Sequence, residues 1–330
     1  MLKAVISDHS FPSIELQAEV LERAGYALEA ISPICRTEDD VIRTCGDADV
    51  LLVQWAPITR RVMEALPKLR GIVRYGVGVN NLDLDAARDL GITIANVPNF
   101  CLEEVSDHTV AFLLALGRRI PQDHYNIAHG GWGINDLLPI PSFRDLTLGL
   151  VGFGAIAQLV AKKASVFGFH VIASDPFQKE AVFHELGVER SDFETLLQSA
   201  DVISLHTPLV RETQHLINRR SIEKMRSGVI LINTSRGPVV KEIDLIEALQ
   251  QGHVSAAGLD VFEDEPLPPN SPLRSMRQVI LTSHAASVST RAVRLLQIKA
   301  AEAARDILMW ERPESALVWA DAVTQRERGR

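Results

Sequence analysis

Short apolar runs alternate with amphipathic stretches along nearly the whole chain. In the first hundred residues "KAVISD" (3–8), "ADVLLVQ" (48–54), "LRGIVRYG" (69–76) and "ITIANV" (92–97) read as strands. Between them "SIELQAEVLERAG" (13–25), "TEDDVIRTCG" (37–46) and "NLDLDAARDLG" (81–91) read as helices, and the first and last close on glycine, a common helix stop. This βα alternation predicts a parallel sheet with helices on both faces. Residues 103–120, "EEVSDHTVAFLLALGRRI", read as one long helix, with Val110, Leu113, Leu114 and Gly117 on a close-packing face that suits a core or an interface. Residues 121–147 are rich in Gly, Pro and polar residues. They read as an arm or loop whose Trp132, Ile134, Leu137 and Leu138 call for burial.

A second alternation starts at 148. Its strands are "LGLVGF", "HVIASD", "DVISLH", "VILINTS", "SAAGLDVF" and "QVILTS". Six strands with right-handed crossovers make a complete dinucleotide-binding fold. A last helix, from about Thr290 to Trp310, follows the sixth strand and has no further strand to serve. It is expected to return to the first domain, making that domain discontinuous.

Composition narrows the function. A chain of 330 residues suits two domains, and 46% apolar with 23% charged residues is ordinary globular composition. A net charge of −8 argues against nucleic acid or an anionic membrane as partner. An anionic small substrate would then need a local basic residue. The cysteines, Cys35, Cys45 and Cys101, are few, odd in number and outside CxxC spacing, which fits a reducing cytoplasm and offers no metal site. The N-terminus lacks the apolar core of a signal peptide, and no apolar run is long enough to span a membrane. The polar tail "TQRERGR" is expected to fray.

The sharpest local signal is Gly152-Phe153-Gly154-Ala155-Ile156-Ala157, a GxGxxA run directly after a strand and opening a helix. Gly152 permits a tight turn. Gly154 lets the backbone approach a pyrophosphate seated on the helix N-terminal N–H groups, and Ala157 keeps helix and strand close. The next strand ends at Asp175, 18 residues beyond Ala157. Its carboxylate suits the adenosine ribose hydroxyls and would repel a 2′-phosphate, which favours NAD over NADP. The plain alternative for Asp175 is a strand-end turn before Pro176.

Ligands of doubly wound sheets bind at the carboxyl ends of the strands. At those ends lie His206-Thr207-Pro208, Arg236 in "NTSRG", Asp260 and Glu265 in "GLDVFEDEP", and His284 in "TSHAAS". Singly, Arg236 reads as a surface charge, Asp260 as a turn former, Glu265 as a solvated loop residue and His284 as a strand end or helix cap. An arginine, two carboxylates and a histidine on the edge that carries the glycine loop point instead to proton exchange coupled to hydride transfer.

These motifs, in this order, resemble the D-isomer-specific 2-hydroxyacid dehydrogenase family, whose relatives include phosphoglycerate dehydrogenase and glyoxylate/hydroxypyruvate reductase. The resemblance covers nearly the whole chain. It includes "VRYGVGVNNLDLDAARDLGI", similar to the family's substrate loop, and "NVPNFCLEEVSDHTVAFLLALGRR", which looks closest to the branch of the C-terminal-binding-protein co-repressors. The resemblance implies an α/β fold of two Rossmann-like or flavodoxin-like doubly wound parallel-sheet domains with a cleft between them. The substrate domain would be residues 1–98 plus 291–330. The NAD domain would be 99–290, with a dimer contact made by 103–147.

It also implies a catalytic set of Arg236, Glu265 and His284. His284 would give a proton to the carbonyl oxygen of a 2-oxo acid, Glu265 would fix its tautomer, and Arg236 would bind the substrate carboxylate together with the backbone of Gly76-Val77-Gly78. Asp260 and the Thr234-Ser235 region would orient the carboxamide, with Val105 behind the nicotinamide ring and His206, Thr207 and Pro208 on the adenosine side. Asn80 and Ser283 stand where the family often has Asp and Pro, which bears on substrate choice. Trp55 with Gln54, Arg74 and Tyr75 are candidate pocket walls, with burial as the alternative, and Arg60 and Arg61 read as a solvated helix face. The leading reading is an NAD-dependent reductase of a small 2-oxo acid that forms a homodimer. The second is a dimeric NAD(H)-sensing binding protein like the co-repressors.

Overall fold

The computed structural model describes residues 2–134 and 138–320. The chain forms two compact units, Met1–Phe100 with Ser289–Arg330, and Cys101–Val288. In chain order the regular elements begin with β1 (Lys3–Ile6), α1 (Glu15–Arg23), β2 (Ala27–Ala30), α2 (Glu38–Thr44), β3 (Val50–Val53), α3 (Arg60–Ala65), β4 (Gly71–Arg74), α4 (Leu84–Asp89) and β5 (Thr93–Ala95). The second unit holds α5 (Leu102–Gly117), α6 (Ile120–Ala128), β6 (Thr147–Val151), α7 (Ala155–Val166), β7 (His170–Ser174), α8 (Glu180–Glu185), β8 (Glu189–Arg190) and α9 (Phe193–Ser199). It continues with β9 (Val202–Leu205), α10 (Arg219–Lys224), β10 (Val229–Asn233), α11 (Glu242–Gln251), β11 (Val254–Leu259) and β12 (Val279–Leu281). The chain then returns to the first unit through α12 (Thr290–Leu308) and β13 (Ala316–Val318).

The first sheet runs β2-β1-β3-β4-β5-β13, parallel except for β13, which lies antiparallel to β5. Its first five strands have the flavodoxin-like order. The edge strand β2 is only partly buried and β13 has three residues, so neither carries the apolar run that marks β1, β3 and β4 in the sequence. Helix α12 packs on α1, β3 and β4. Gly71 on β4 leaves room for it, since a Cβ there would lie 2.8 Å from the Ile307 side chain.

The second sheet runs β8-β7-β6-β9-β10-β11-β12 and is parallel throughout, the Rossmann order with a seventh strand. The expectation of six strands is one short. The addition, β8, is two exposed residues with no hydrophobic pattern. Helix α5 packs on α7, β10 and β11, with Val110 and Leu113 buried.

The reading of 103–120 as one helix is corrected. The long helix ends at Gly117, and Arg119 turns the chain through a left-handed conformation (φ 53°). A new helix, α6, then starts with Pro121 in its first turn, where proline's missing N–H costs nothing. The side chains expected to be buried in the arm are open in the single chain: Trp132 is 91% exposed, Ile134 67% and Leu138 56%. Leu137 and the tail 321–330 lie outside the described residues.

Candidate active site

The sheet of the second unit reverses its strand order between β6 and β9, and the glycine loop lies there. Gly152 has φ 88°, and a Cβ on it would approach the carbonyl carbon of His206 to 2.9 Å, so glycine is required. Gly154 caps α7, and a Cβ on it would meet nothing within 4 Å, leaving open space at the helix N-terminus. Phe153 is fully buried and stacks on Phe183. Ala155 and Ile156 form the first turn of α7, and Ala157 is fully buried behind them.

Asp175, just past β7, ties this loop down. Its Oδ2 accepts the Phe153 N–H (2.8 Å), and its Oδ1 accepts the N–H groups of Phe177 (2.9 Å) and Gln178 (3.2 Å). The strand-end turn is therefore real. A carboxylate offers about four acceptor positions, so the same group keeps capacity for a ribose hydroxyl.

Beyond β9, the His206 ring contacts the Ser204 hydroxyl through Nε2 (2.9 Å), and burial lowers its pKa from 6.5 to about 4, so the ring is neutral. Its main chain, not its ring, borders the glycine turn. Thr207 Oγ1 is buried with no hydrogen-bond partner among the described residues. An orphaned hydroxyl, an open helix N-terminus and the Asp175 carboxylate together fit a dinucleotide.

Arg236 follows β10. Asn233 shapes its turn: Oδ1 accepts the N–H (3.0 Å) and hydroxyl (2.8 Å) of Ser235, and Nδ2 donates to the Arg236 carbonyl (3.0 Å). Gly237 then passes so close to β11's exit that a Cβ would sit 1.7 Å from the Phe262 carbonyl oxygen. Burial pulls the Arg236 guanidinium's pKa down, and the Glu265 carboxylate opposes it. Thr234 Oγ1 meets Thr109 Oγ1 (2.9 Å). Because Thr109 donates to the Val105 carbonyl (2.8 Å), it accepts from Thr234, joining α5 to the end of β10.

The centre of the site is His284 with Glu265. His284 Nδ1 lies 2.8 Å from Glu265 Oε2, and Glu265 Oε1 accepts the Phe262 N–H (3.1 Å). Burial raises the Glu265 pKa, but the His284 hydrogen bond, the charge of His284, the Phe262 N–H and Arg236 outweigh it and hold the carboxyl below its ordinary value. The carboxylate can only accept, so Nδ1 carries a proton and Nε2 is left for exchange. His284 sits in the left-handed region (φ 54°), uncommon for a residue with a Cβ.

Asp260, 1% exposed, holds this turn. Its carbonyl accepts the His284 N–H (2.8 Å), Oδ1 accepts Thr282 Oγ1–H (2.6 Å) and the Ala285 N–H (2.8 Å), and Oδ2 accepts the Ala286 N–H (3.0 Å). This is the turn-former reading of Asp260, here applied to the turn that carries His284. Roles for His108, Thr109 and Thr282 were not expected from sequence: they stand inside or beside quoted motifs, but nothing local marks their polar side chains as partners of this site.

The remaining predicted residues belong to the first unit. Gly76 (φ 134°), Val77 and Gly78 follow β4. Val97 N–H donates to the Gly76 carbonyl (3.1 Å) and Asn96 Nδ2 to that of Val77 (2.7 Å). Tyr75 is buried against Phe11, so it serves the core and not a pocket wall. Trp55 is 54% exposed, on a turn whose backbone N–H groups donate to Asp8. Arg60 pairs with Asp89, and Arg61 with Glu38 (3.1 Å) and Asp39 (2.6 Å). Among the described residues no cluster of three His, Cys, Asp or Glu is placed to hold a metal ion, and no helix is long and apolar enough to cross a membrane.

A Rossmann sheet whose switch point carries a glycine loop, with a carboxylate-bound histidine on the same edge, defines a dinucleotide-dependent dehydrogenase. Residues 110–286 match the model for the NAD-binding domain of D-isomer-specific 2-hydroxyacid dehydrogenases, and the chain belongs to that family. It is 39% identical over 253 residues to a glyoxylate reductase of Korarchaeum cryptofilum, covering 76% of each protein. It is 35% identical over 319 residues to a D-3-phosphoglycerate dehydrogenase of Methanocaldococcus jannaschii, covering 96% of this chain and 59% of that protein. Among solved structures it resembles a D-lactate dehydrogenase from Aquifex aeolicus complexed with NAD and lactic acid (TM-score 0.82, 27% identity, 93% of this chain and 95% of that one). These relatives are oxidoreductases, and they give no preference to a co-repressor-like binding protein.

Proposed function

We propose that the protein interconverts a small, unphosphorylated D-2-hydroxy acid and its 2-oxo acid, with His284 as the acid–base group. The observation that carries this reading is the 2.8 Å contact between His284 Nδ1 and Glu265 Oε2 on the edge that bears the glycine loop. NAD, when bound, supplies or accepts the hydride. The N-terminal N–H groups of α7 bind the pyrophosphate and Asp175 the ribose, anchored by its bond to Phe153. Glu265 keeps the proton on Nδ1 and stabilises the imidazolium, so Nε2 is the atom that gives a proton to the carbonyl oxygen during reduction and takes it back in oxidation. Arg236 binds the substrate carboxylate through its planar fork and stays charged despite burial. Arg60 and Arg61, cations that a phosphate would call on, are already paired with carboxylates, which favours an acid without phosphate.

The test is NADH oxidation, followed at the nicotinamide absorbance, with glyoxylate, hydroxypyruvate, pyruvate and bulkier 2-oxo acids. Turnover of at least one is expected. Tight NADH binding with no turnover across the panel would overturn the reading. The exposed apolar side chains of α6 and the following loop favour a homodimer. The buried thiols Cys35 and Cys45, without a disulfide, favour a reducing compartment.

A further inference from the structure

His108 lies on α5, 176 residues before His284 in sequence, yet it touches the histidine's turn. Its Nε2 is 3.0 Å from Thr282 Oγ1. The Thr282 hydroxyl donates its proton to Asp260 Oδ1, because a carboxylate only accepts. Its oxygen is then left to accept from His108, which places a proton on His108 Nε2. The chain continues: Asp260 accepts the N–H groups of Ala285 and Ala286 on its carboxylate and that of His284 on its carbonyl. These bonds surround the one residue of the turn that is held at φ 54°. The His108 ring is itself fixed, edge-on to Phe112 (4.6 Å, 78°), and Phe112 sits where Gly258 on β11 has no Cβ.

We propose that His108 is a positioning residue for His284: through Thr282 and Asp260 it holds the left-handed turn that presents the imidazole. The inference rests on the proposed acid–base role of His284 for its catalytic consequence, but not for the clamp itself. A left-handed residue relaxes unless its surroundings over-determine it. Asp260 supplies the acceptors, and the donor from α5 fixes the Thr282 rotamer.

The experiment compares His108→Ala, Thr282→Val, the double variant and Thr282→Ser. Amide hydrogen exchange at Ala285 and Ala286 in the protein without nucleotide reports the clamp, and kcat, KM and NADH affinity report its consequence. Each single variant is expected to exchange about 10-fold faster at those two amides, the effect of one lost hydrogen bond. The double variant should be no faster than either, and Thr282→Ser should return to wild type. The kcat should fall about 10-fold while NADH affinity stays within about two-fold, the signature of a lost transition-state interaction. Unchanged exchange at Ala285 and Ala286 in His108→Ala overturns the proposal, whatever the activity. So does a rise spread evenly over α5 and the sheet, which would make His108 a packing residue. Faster local exchange in a protein whose wild type reduces no 2-oxo acid supports the clamp and refutes the catalytic reading instead.

Discussion

At the scale of single residues, the task of each ring follows from what surrounds it. His284 is half exposed and faces a carboxylate, while the less exposed His206 meets the Ser204 hydroxyl through Nε2. His284→Ala should therefore cost the chemical step about 10²–10⁴ in kcat, the usual worth of a positioned proton donor. NADH affinity, measured by fluorescence titration, should stay near wild type. An equal loss of nucleotide affinity would mark His284 as structural. His206 leads to a pH prediction. Its pKa falls from 6.5 to about 4 on folding, so between those values the unfolded chain binds a proton that the native protein does not. Stability is full above pH 6.5 and declines as pH falls toward 4, by on the order of 3 kcal/mol from this residue. Urea unfolding at pH 7 and pH 4.5 should show a shallower decline for His206→Gln than for wild type. Equal declines would refute the neutral ring.

At the scale of elements, the loops after β6 and β10 are built around glycines with different tasks. Gly152 and Gly237 are steric requirements, and Gly154 stands against open space. Gly154→Ala should thus fold with a melting temperature close to wild type and lose NADH affinity. Gly152→Ala, forced into a left-handed conformation against the His206 backbone, should lose about 1–3 kcal/mol of stability as well. If both variants lost stability equally in calorimetry, the open space at the start of α7 would be disproved. The glycine loop, Asp175 and the His, Glu and Arg positions were legible because each belongs to a short local pattern at the end of an apolar strand. The break at Arg119, the two-residue β8 and the edge strand β2 were not, since none carries an apolar run. His108 was hidden for another reason. Its partner Thr282 lies on a different element, and only folding brings α5 across β11 to meet it.

For the whole molecule, the unsettled surface is the one that α6 and the loop after it leave open. Ile120 (56%), Ile127 (45%), Trp132 (91%), Ile134 (67%) and Leu138 (56%) are exposed within one short stretch. Single exposed apolar residues are ordinary, but a run of them is a mark of an association surface. A second copy is the simplest occupant, because closed two-fold assembly covers the same patch on both chains at once. Sedimentation equilibrium should give twice the chain mass for the wild type. Trp132→Asp with Ile134→Asp should give the single mass, since a charge at a covered apolar contact is left desolvated and unpaired. Both residues lie outside the glycine loop and the turns carrying Arg236, Glu265 and His284, so NADH titration of the variant should still show one site per chain. A wild type that sediments as a monomer at all concentrations would show that this patch serves something other than self-association.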